Sequence, residues 1–89
     1  MVRMFVRHEV ADFDKWLKAY HDFDGERGGL GVVGESVCRS VVNGNDVTVT
    51  HDFETLEKAK AFIESPRLRE VMEAAGVTSA PDAWFTKPV

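Results

Sequence analysis

The chain of 89 residues has a formal net charge of −4 and one cysteine, which leaves room for one domain, 1–89, and excludes an intrachain disulfide. Acidic and basic residues are interspersed without a basic run, so neither nucleic acid nor an anionic membrane surface is an expected partner. A core in so short a chain is only marginally sufficient, and we expect oligomerisation to supply the missing stability.

The N-terminal segment alternates apolar and polar side chains, with Val2, Met4, Val6, His8 and Val10 on one parity. Period-two alternation predicts a first strand. The segment has no continuous apolar stretch of the kind found in signal peptides, and nothing in the sequence is long enough to span a bilayer. We therefore expect a cytoplasmic protein.

A helix is predicted after this strand. Asp12 suits the N-cap, because its carboxylate can accept hydrogen bonds from backbone N–H groups of the first turn. The glycines between positions 25 and 31 should end the helix and form a flexible connection. Its apolar residues recur at helical spacing on one face: Phe13, Trp16, Leu17 and Tyr20.

Two further strands are predicted in the middle of the chain. The second runs from about Val32 to Val42, and the third, Val47 to Phe53, alternates again. Asn43-Gly44 between them tolerates the positive φ angles of a tight hairpin turn. The two strands should therefore pair directly as a hairpin.

Two short helices and a last strand, Ala83 to Lys87, complete the chain. Thr55 and Ser65 are their predicted caps, Pro66 fits the first helical position, and Gly76 suits a left-handed end. The apolar stripes are Leu56, Ala59, Phe62 and Ile63 in one helix, and Leu68, Val71, Met72 and Ala75 in the other.

The order β-α-β-β-α-α-β predicts an α+β, ferredoxin-like fold, a four-stranded antiparallel sheet with its helices on one face. The other face of that sheet has no helix to cover it. Two sheets packed face to face would cover both, so the expected assembly is a homodimer.

Two segments carry a family resemblance, Phe53–Pro66 and His8–Trp16. Together they resemble the antibiotic-biosynthesis-monooxygenase-like and cyclase-like proteins of the dimeric α/β-barrel superfamily. The resemblance implies a homodimeric pocket protein, either a cofactor-independent monooxygenase or a cyclase-like enzyme, acting on an aromatic or polyketide-type small molecule. The chain departs from the family at Phe62, where many members have histidine, and at Phe53, where tryptophan is frequent.

His8 and His51 are the candidate catalytic residues, since both have the parity that faces the helices. Each is either a general base or a buried structural histidine. If His8 is structural, we expect it to bond a backbone carbonyl or Asp12. Antiparallel pairing staggers the two by about 13 Å along the strands, at roughly 3.3 Å per residue. They are too far apart to share a metal, so neither a metal nor another cofactor is expected.

The candidate ligand-binding residues are large aromatics: Trp16, Tyr20, Phe62 and Trp84. They form either ordinary core or the walls of a flat pocket between the helices and the sheet. Besides an enzyme, the same residues are compatible with a non-catalytic small-molecule binder or with a purely structural dimer.

The remaining polar residues have predicted structural roles. Arg7, Thr50 and Asp52 have the parity of the uncovered sheet face, together with Glu9 and Thr48, and Arg7 could pair with Asp52. Cys38 is interpreted as a small packing residue rather than a nucleophile, because nothing near it in sequence lowers a thiol pKa. His21 is expected at the surface.

Overall fold

The computed structural model describes residues 1–89. Its strands and helices follow in the order β1 (Val2–Glu9), α1 (Phe13–Asp22), α2 (Asp24–Gly29), β2 (Gly34–Arg39), β3 (Asp46–Phe53), α3 (Leu56–Ile63), α4 (Pro66–Ala74) and β4 (Asp82–Thr86). The predicted order is confirmed, with α2 as an additional short helix. No helix is long and apolar enough to cross a bilayer.

The four strands form one antiparallel sheet in the order β2-β3-β1-β4. The ferredoxin-like prediction is therefore confirmed. In the central pair, Met4 lies opposite His51 and His8 lies opposite Val47. The predicted stagger of the two histidines is correct, and it places them at opposite ends of the same sheet face.

The core lies between that face and the helices. Met4, Val47, Phe53 and Ala59 are completely inaccessible to solvent, and Phe62 is nearly so. Helix α1 contributes Trp16 and Tyr20 and α3 contributes Ala59 and Phe62, whereas α4 buries no residue completely. The helix layer is therefore tightly packed over α1 and α3 and looser over α4.

Most predicted helix ends are correct. Asp12 and Thr55 each accept a hydrogen bond from the backbone N–H three residues later, at 3.1 and 3.2 Å. Gly76 has a φ of +84° beyond the end of α4, where a residue with a Cβ would be strained. Ser65 occupies the N-cap position of α4, but its side chain makes no capping bond, so that prediction was wrong.

The glycine-rich segment is not the flexible connection predicted for it. It forms α2, with Asp24 and Glu26 in the first turn, where negative charge is favourable. The buried side chain of Arg27 anchors this helix to α1 through hydrogen bonds to the Tyr20 carbonyl at 2.9 and 3.1 Å. Tertiary hydrogen bonds from one arginine thus outweigh the low helix propensity of its glycine neighbours.

The predicted tight turn at Asn43-Gly44 is also wrong. Neither residue has a positive φ, and β2 ends at Arg39. The Ser40 hydroxyl accepts hydrogen bonds from the backbone N–H groups of Val42 and Asn43, at 3.1 and 3.3 Å. These local bonds replace the strand ladder and give a longer loop, with Val42 exposed at its tip.

The uncovered sheet face contains ion pairs, but not the predicted pair of Arg7 with Asp52. The register places Asp52 opposite Arg3, and their side chains bond at 2.8 Å. Arg7 instead donates to Asp46 at 2.6 Å. Cys38 lies opposite Thr48 and is exposed, so the interpretation as a packing residue was wrong.

Candidate functional site

A cavity of about 50 Å³ lies between the sheet and the helix layer. The structure brings His8, His51, Trp16, Tyr20 and Phe62 together around it, as the strand parity and helical phase predicted. Most of the remaining wall is apolar. It includes Met4, Val6 and Val49 from the sheet and Leu68, Val71 and Met72 from α4.

Trp84 does not belong to this site, contrary to prediction. Its register partner on β1 is Phe5, and the two rings stack on the opposite face of the sheet with centroids 5.4 Å apart. The indole is 43% exposed there. The last strand is too short to show a clear alternation, so its register could not be inferred from sequence.

His51 forms one end of the cavity. Its side chain is buried, and its Nε2 lies 3.3 Å from the hydroxyl of Tyr20. The Phe62 ring packs against the imidazole with centroids 5.2 Å apart. The other ring nitrogen, Nδ1, is buried without any hydrogen-bond partner. An unsatisfied buried polar atom is costly, so Nδ1 is a point at which a bound molecule would gain a hydrogen bond.

Two residues missed by the sequence analysis complete this end. The Glu35 Oε2 accepts from the hydroxyl of Tyr20 at 3.1 Å and from the Nε of Arg27 at 2.6 Å. Arg27 also places its guanidinium 3.7 Å from the centre of the Tyr20 ring and donates to Asp24. The pairing of Glu35 with His51 is visible only in the observed register of β2 and β3, and no sequence pattern marks Arg27 for burial.

His8 forms the other end of the cavity, where fewer contacts fix the imidazole. Its imidazole is buried against the edge of Trp16, with centroids 5.7 Å apart. Its Nδ1 has no hydrogen-bond partner, so the alternative of a bond to Asp12 or to a backbone carbonyl does not hold for that atom. Trp16 also stacks on Tyr20 at 5.0 Å and so spans the cavity between the two ends.

Burial determines the protonation of these groups. It lowers the pKa of His51 to about 4, helped by the positive charge of Arg27, and it lowers the pKa of His8 as well. Burial also raises the pKa of Tyr20. At neutral pH His8 and His51 are therefore neutral imidazoles and Tyr20 is a protonated phenol, so these groups can accept or donate a proton.

Helix α4 covers the cavity and has unequal attachments. Beyond its C-terminal end, backbone bonds of 2.9 Å join Ala11 to Gly76 and Thr78 to Glu9. Towards α2, by contrast, α4 is held by the exposed ion pair of Arg67 with Glu26, a two-bond contact at 2.8 Å. The cavity is thus closed more weakly between α2 and α4, on the side of Arg27.

His21 is exposed, as predicted, and lies 3.7 Å from Asp24. No group of three or more histidine, cysteine, aspartate or glutamate side chains is arranged to hold a metal ion. The titratable side chains that line the cavity are His8, His51, Tyr20 and Arg27.

No model of a known protein family matches the sequence, and no curated protein matches it. Solved structures do match. A candidate antibiotic biosynthesis monooxygenase from Bordetella bronchiseptica has a TM-score of 0.85 at 15% identity, over 99% of this chain and 96% of its own.

Two oxygenases from Streptomyces share the fold as well. The cofactor-independent oxygenase SnoaB from Streptomyces nogalater has a TM-score of 0.75 at 13% identity, over 99% of this chain and 94% of its own. The monooxygenase ActVA-Orf6 from Streptomyces coelicolor, in complex with the ligand nanaomycin D, has a TM-score of 0.69 at 20% identity, over 99% of this chain and 87% of its own. The chain therefore has the fold of the antibiotic biosynthesis monooxygenases, as the sequence resemblance implied.

Proposed function

We propose that this protein is a cofactor-independent monooxygenase that acts on a small aromatic molecule with an acidic O–H or C–H group. The observation that carries the proposal is the unpartnered Nδ1 of His51, a neutral imidazole in an apolar cavity. The fold shared with two oxygenases, one of them in complex with a small molecule, supports the same proposal. A fold alone does not define an activity.

The chemistry needs a base and dioxygen. Nδ1 of His51 takes a proton from a methylene group activated by an aryl ring and a carbonyl. The resulting carbanion transfers its electrons to dioxygen and forms a peroxide anion, which takes the proton back from His51, loses water and leaves a new carbonyl group. One oxygen atom thus enters the product and the other leaves as water. The apolar wall favours this step, because it separates the base from water.

The cavity must widen for an aromatic substrate. Its volume of about 50 Å³ holds a few water molecules, whereas benzene occupies a cavity of about 150 Å³. Helix α4, which buries no residue completely, is the part of the wall that can move at least cost. We propose that the substrate enters between α2 and α4, where Arg67 pairs with Glu26.

The protein is proposed to work as a homodimer that associates through the uncovered sheet face. Phe5 and Trp84 stack there as an apolar patch, surrounded by ion pairs and threonines. Light scattering coupled to gel filtration tests this arrangement. A mass of about 20 kDa is expected from the 10.0 kDa chain, and Trp84→Lys should yield the monomer. A wild-type monomer at high concentration would contradict the proposal.

Oxygen uptake with 2-tetralone tests the activity, because its C1 methylene lies between an aryl ring and a carbonyl. Wild-type protein should accelerate uptake, and His51→Gln should reduce the rate by about 10²-fold or more, the usual contribution of a general base. His21→Gln, at an exposed histidine, is the matched control and should keep the wild-type rate. An unchanged rate in His51→Gln would show that His51 is not the base.

A second candidate is a non-catalytic binder of a small molecule, with a cyclase-like enzyme as a further alternative. The largely apolar cavity favours the binder, since an apolar wall with a few polar groups is the usual lining of a small-molecule site. Binding of 2-tetralone without oxygen uptake or product formation would favour this candidate over the oxygenase.

A further inference from the structure

A chain of hydrogen bonds connects the cavity with the protein surface. It runs from His51 through the Tyr20 hydroxyl to Glu35 and ends at Arg27. The inner end is 5% exposed, whereas the side chain of Glu35 is 38% exposed and that of Arg27 only 3%. Each link joins side chains from a different element, β3, α1, β2 and α2, so the arrangement depends on the tertiary fold.

The donors and acceptors in this chain can be assigned in only one consistent way. Arg27 is solely a donor, so the Oε2 that receives its Nε–H is an acceptor. The Tyr20 hydroxyl bonds the same Oε2, and it must therefore direct its single proton to Glu35. Its oxygen is then an acceptor towards His51, which requires the proton of the neutral imidazole to be on Nε2. Nδ1 is left as a buried lone pair without a hydrogen-bond partner, in a side chain that lines the cavity.

We propose that Tyr20 and Glu35 are positioning residues that fix His51 in the Nε2–H tautomer, so that the cavity selects ligands that donate a hydrogen bond to Nδ1. A phenol, an enol or an acidic C–H group meets this requirement, whereas an ether, or a ketone without an acidic C–H group, offers Nδ1 only another acceptor. This ligand selectivity rests on the proposed function, while the tautomer does not depend on it.

The contacts of Arg27 stabilise this arrangement of donors and acceptors. It is bonded to Glu35, to Asp24 and to the carbonyl of Tyr20, and it stacks on the Tyr20 ring. These contacts fix both the carboxylate and the ring that carries the hydroxyl. The other residues around the imidazole, Met4 and Phe62, are apolar and cannot offer a competing proton.

The tautomer is measurable without any ligand. In ¹⁵N-labelled protein at neutral pH, two-bond ¹H–¹⁵N correlations distinguish a protonated Nε2 from a protonated Nδ1. We expect the His51 signal to show the Nε2–H form alone. A predominant Nδ1–H form in the wild-type protein would overturn the proposal, whatever the protein binds.

Two substitutions of Glu35 separate positioning from mere structural support. Glu35→Gln keeps a carbonyl oxygen that can accept from Arg27 and Tyr20, so the Nε2–H form should persist. Glu35→Leu removes the acceptor and frees the Tyr20 hydroxyl to donate to His51, so a measurable Nδ1–H population should arise. Tyr20→Phe removes the hydroxyl and should also release the constraint. If Glu35→Leu and Tyr20→Phe both keep the wild-type tautomer, the positioning role is excluded.

Ligand selectivity is tested with two probes of similar size, 1-naphthol as a donor and 1-methoxynaphthalene as an acceptor. Calorimetry should give at least a tenfold preference for the naphthol in the wild type, since a lost hydrogen bond of about 1.4 kcal/mol corresponds to tenfold. The preference should persist in Glu35→Gln and decrease in Glu35→Leu. Equal affinities in wild-type protein would overturn the selectivity, and binding of neither would count against the proposed function, while the tautomer result would stand independently.

Discussion

The two ends of the cavity differ although each holds a buried histidine with an unpartnered Nδ1. At the His51 end, Tyr20, Glu35 and Arg27 fix the imidazole through hydrogen bonds. At the His8 end, the imidazole packs against Trp16 without comparable support. A base must have a defined tautomer and orientation before it can act on a substrate, so the comparison favours His51 as the functional residue and His8 as a part of the wall.

The attachments of α4, the helix that covers the cavity, also differ between the His8 end and the His51 end. Backbone bonds from Ala11 and Thr78 secure the chain beyond α4 close to the end of β1, on the His8 side. The exposed pair of Arg67 with Glu26 secures α4 towards α2, on the Arg27 side. The end with the prepared base is thus also the end with the weaker closure, as a ligand site requires.

The largest expected effect is the loss of Arg27. Arg27→Ala should lower the free energy of unfolding by about 3–5 kcal/mol, because it deletes a buried side chain and the two hydrogen bonds that this side chain donates to the Tyr20 carbonyl. Arg39→Ala is the control, because Arg39 is exposed and should cost no more than about 1 kcal/mol. Urea unfolding at one protein concentration measures both. Similar losses in the two variants would mean that the His51 end has no special dependence on Arg27.

The second effect is a pH dependence from His51. Because its folded-state pKa is about 4, below the ordinary 6.5, the unfolded state binds more protons between these values. The free energy of unfolding should therefore fall by about 3 kcal/mol as the pH drops across that interval, and this contribution should level off below it. The direction of the His8 shift is the same.

Substitution separates this contribution from that of the other groups. His51→Gln should remove the contribution of His51 to the slope between about pH 6.5 and 4, whereas His8→Gln should remove only the contribution of His8. The paired carboxylates, such as Asp46 with its lowered pKa, lose stability at lower pH in every variant alike. Urea unfolding at several pH values gives the comparison, and an unchanged slope in His51→Gln would contradict the burial of a neutral imidazole.

Much of the fold was predictable because it follows local periodicity. The alternation in β1 and β3 placed both histidines on the helix-facing side, and the caps at Asp12 and Thr55 located the starts of α1 and α3. The failures share a cause. The glycine-rich α2 depends on the hydrogen bonds of Arg27. The sheet face on which Trp84 lies depends on the pairing of β4 with β1, where Trp84 lies opposite Phe5. Local sequence patterns do not contain these tertiary contacts.

The candidate site was predictable in part for the same reason. Strand parity identified His51, and helical phase identified Trp16 and Tyr20. Arg27 lies in the segment predicted as a flexible connection, and Glu35 lies in the predicted second strand. Their importance depends on a network of hydrogen bonds between four elements. A single sequence can therefore identify which residues face a cavity, but not which charged residues reach into its wall.

A smaller effect is expected from His8. His8→Leu replaces an imidazole that has an unsatisfied buried nitrogen with an apolar side chain of similar size. The free energy of unfolding should rise by about 1 kcal/mol, since the cost of the unpaired group disappears. His51→Leu is the counterpart and should be destabilising, because it leaves the Tyr20 hydroxyl without one partner. If both variants lose stability equally, the two ends do not differ as described.

The smallest effect concerns the closure between α2 and α4. Arg67→Gln breaks the ion pair with Glu26 and should accelerate the association of 1-naphthol by less than about fivefold, since exposed ion pairs are weak. Lys58→Gln, which breaks the exposed pair with Glu54 within one segment of the chain, is the control and should leave the rate unchanged. Stopped-flow measurement of the tryptophan fluorescence follows the binding, because Trp16 lines the cavity. Faster association in Arg67→Gln alone would place the opening on the His51 side, whereas equal rates in both variants and the wild type would mean that α4 does not limit access there.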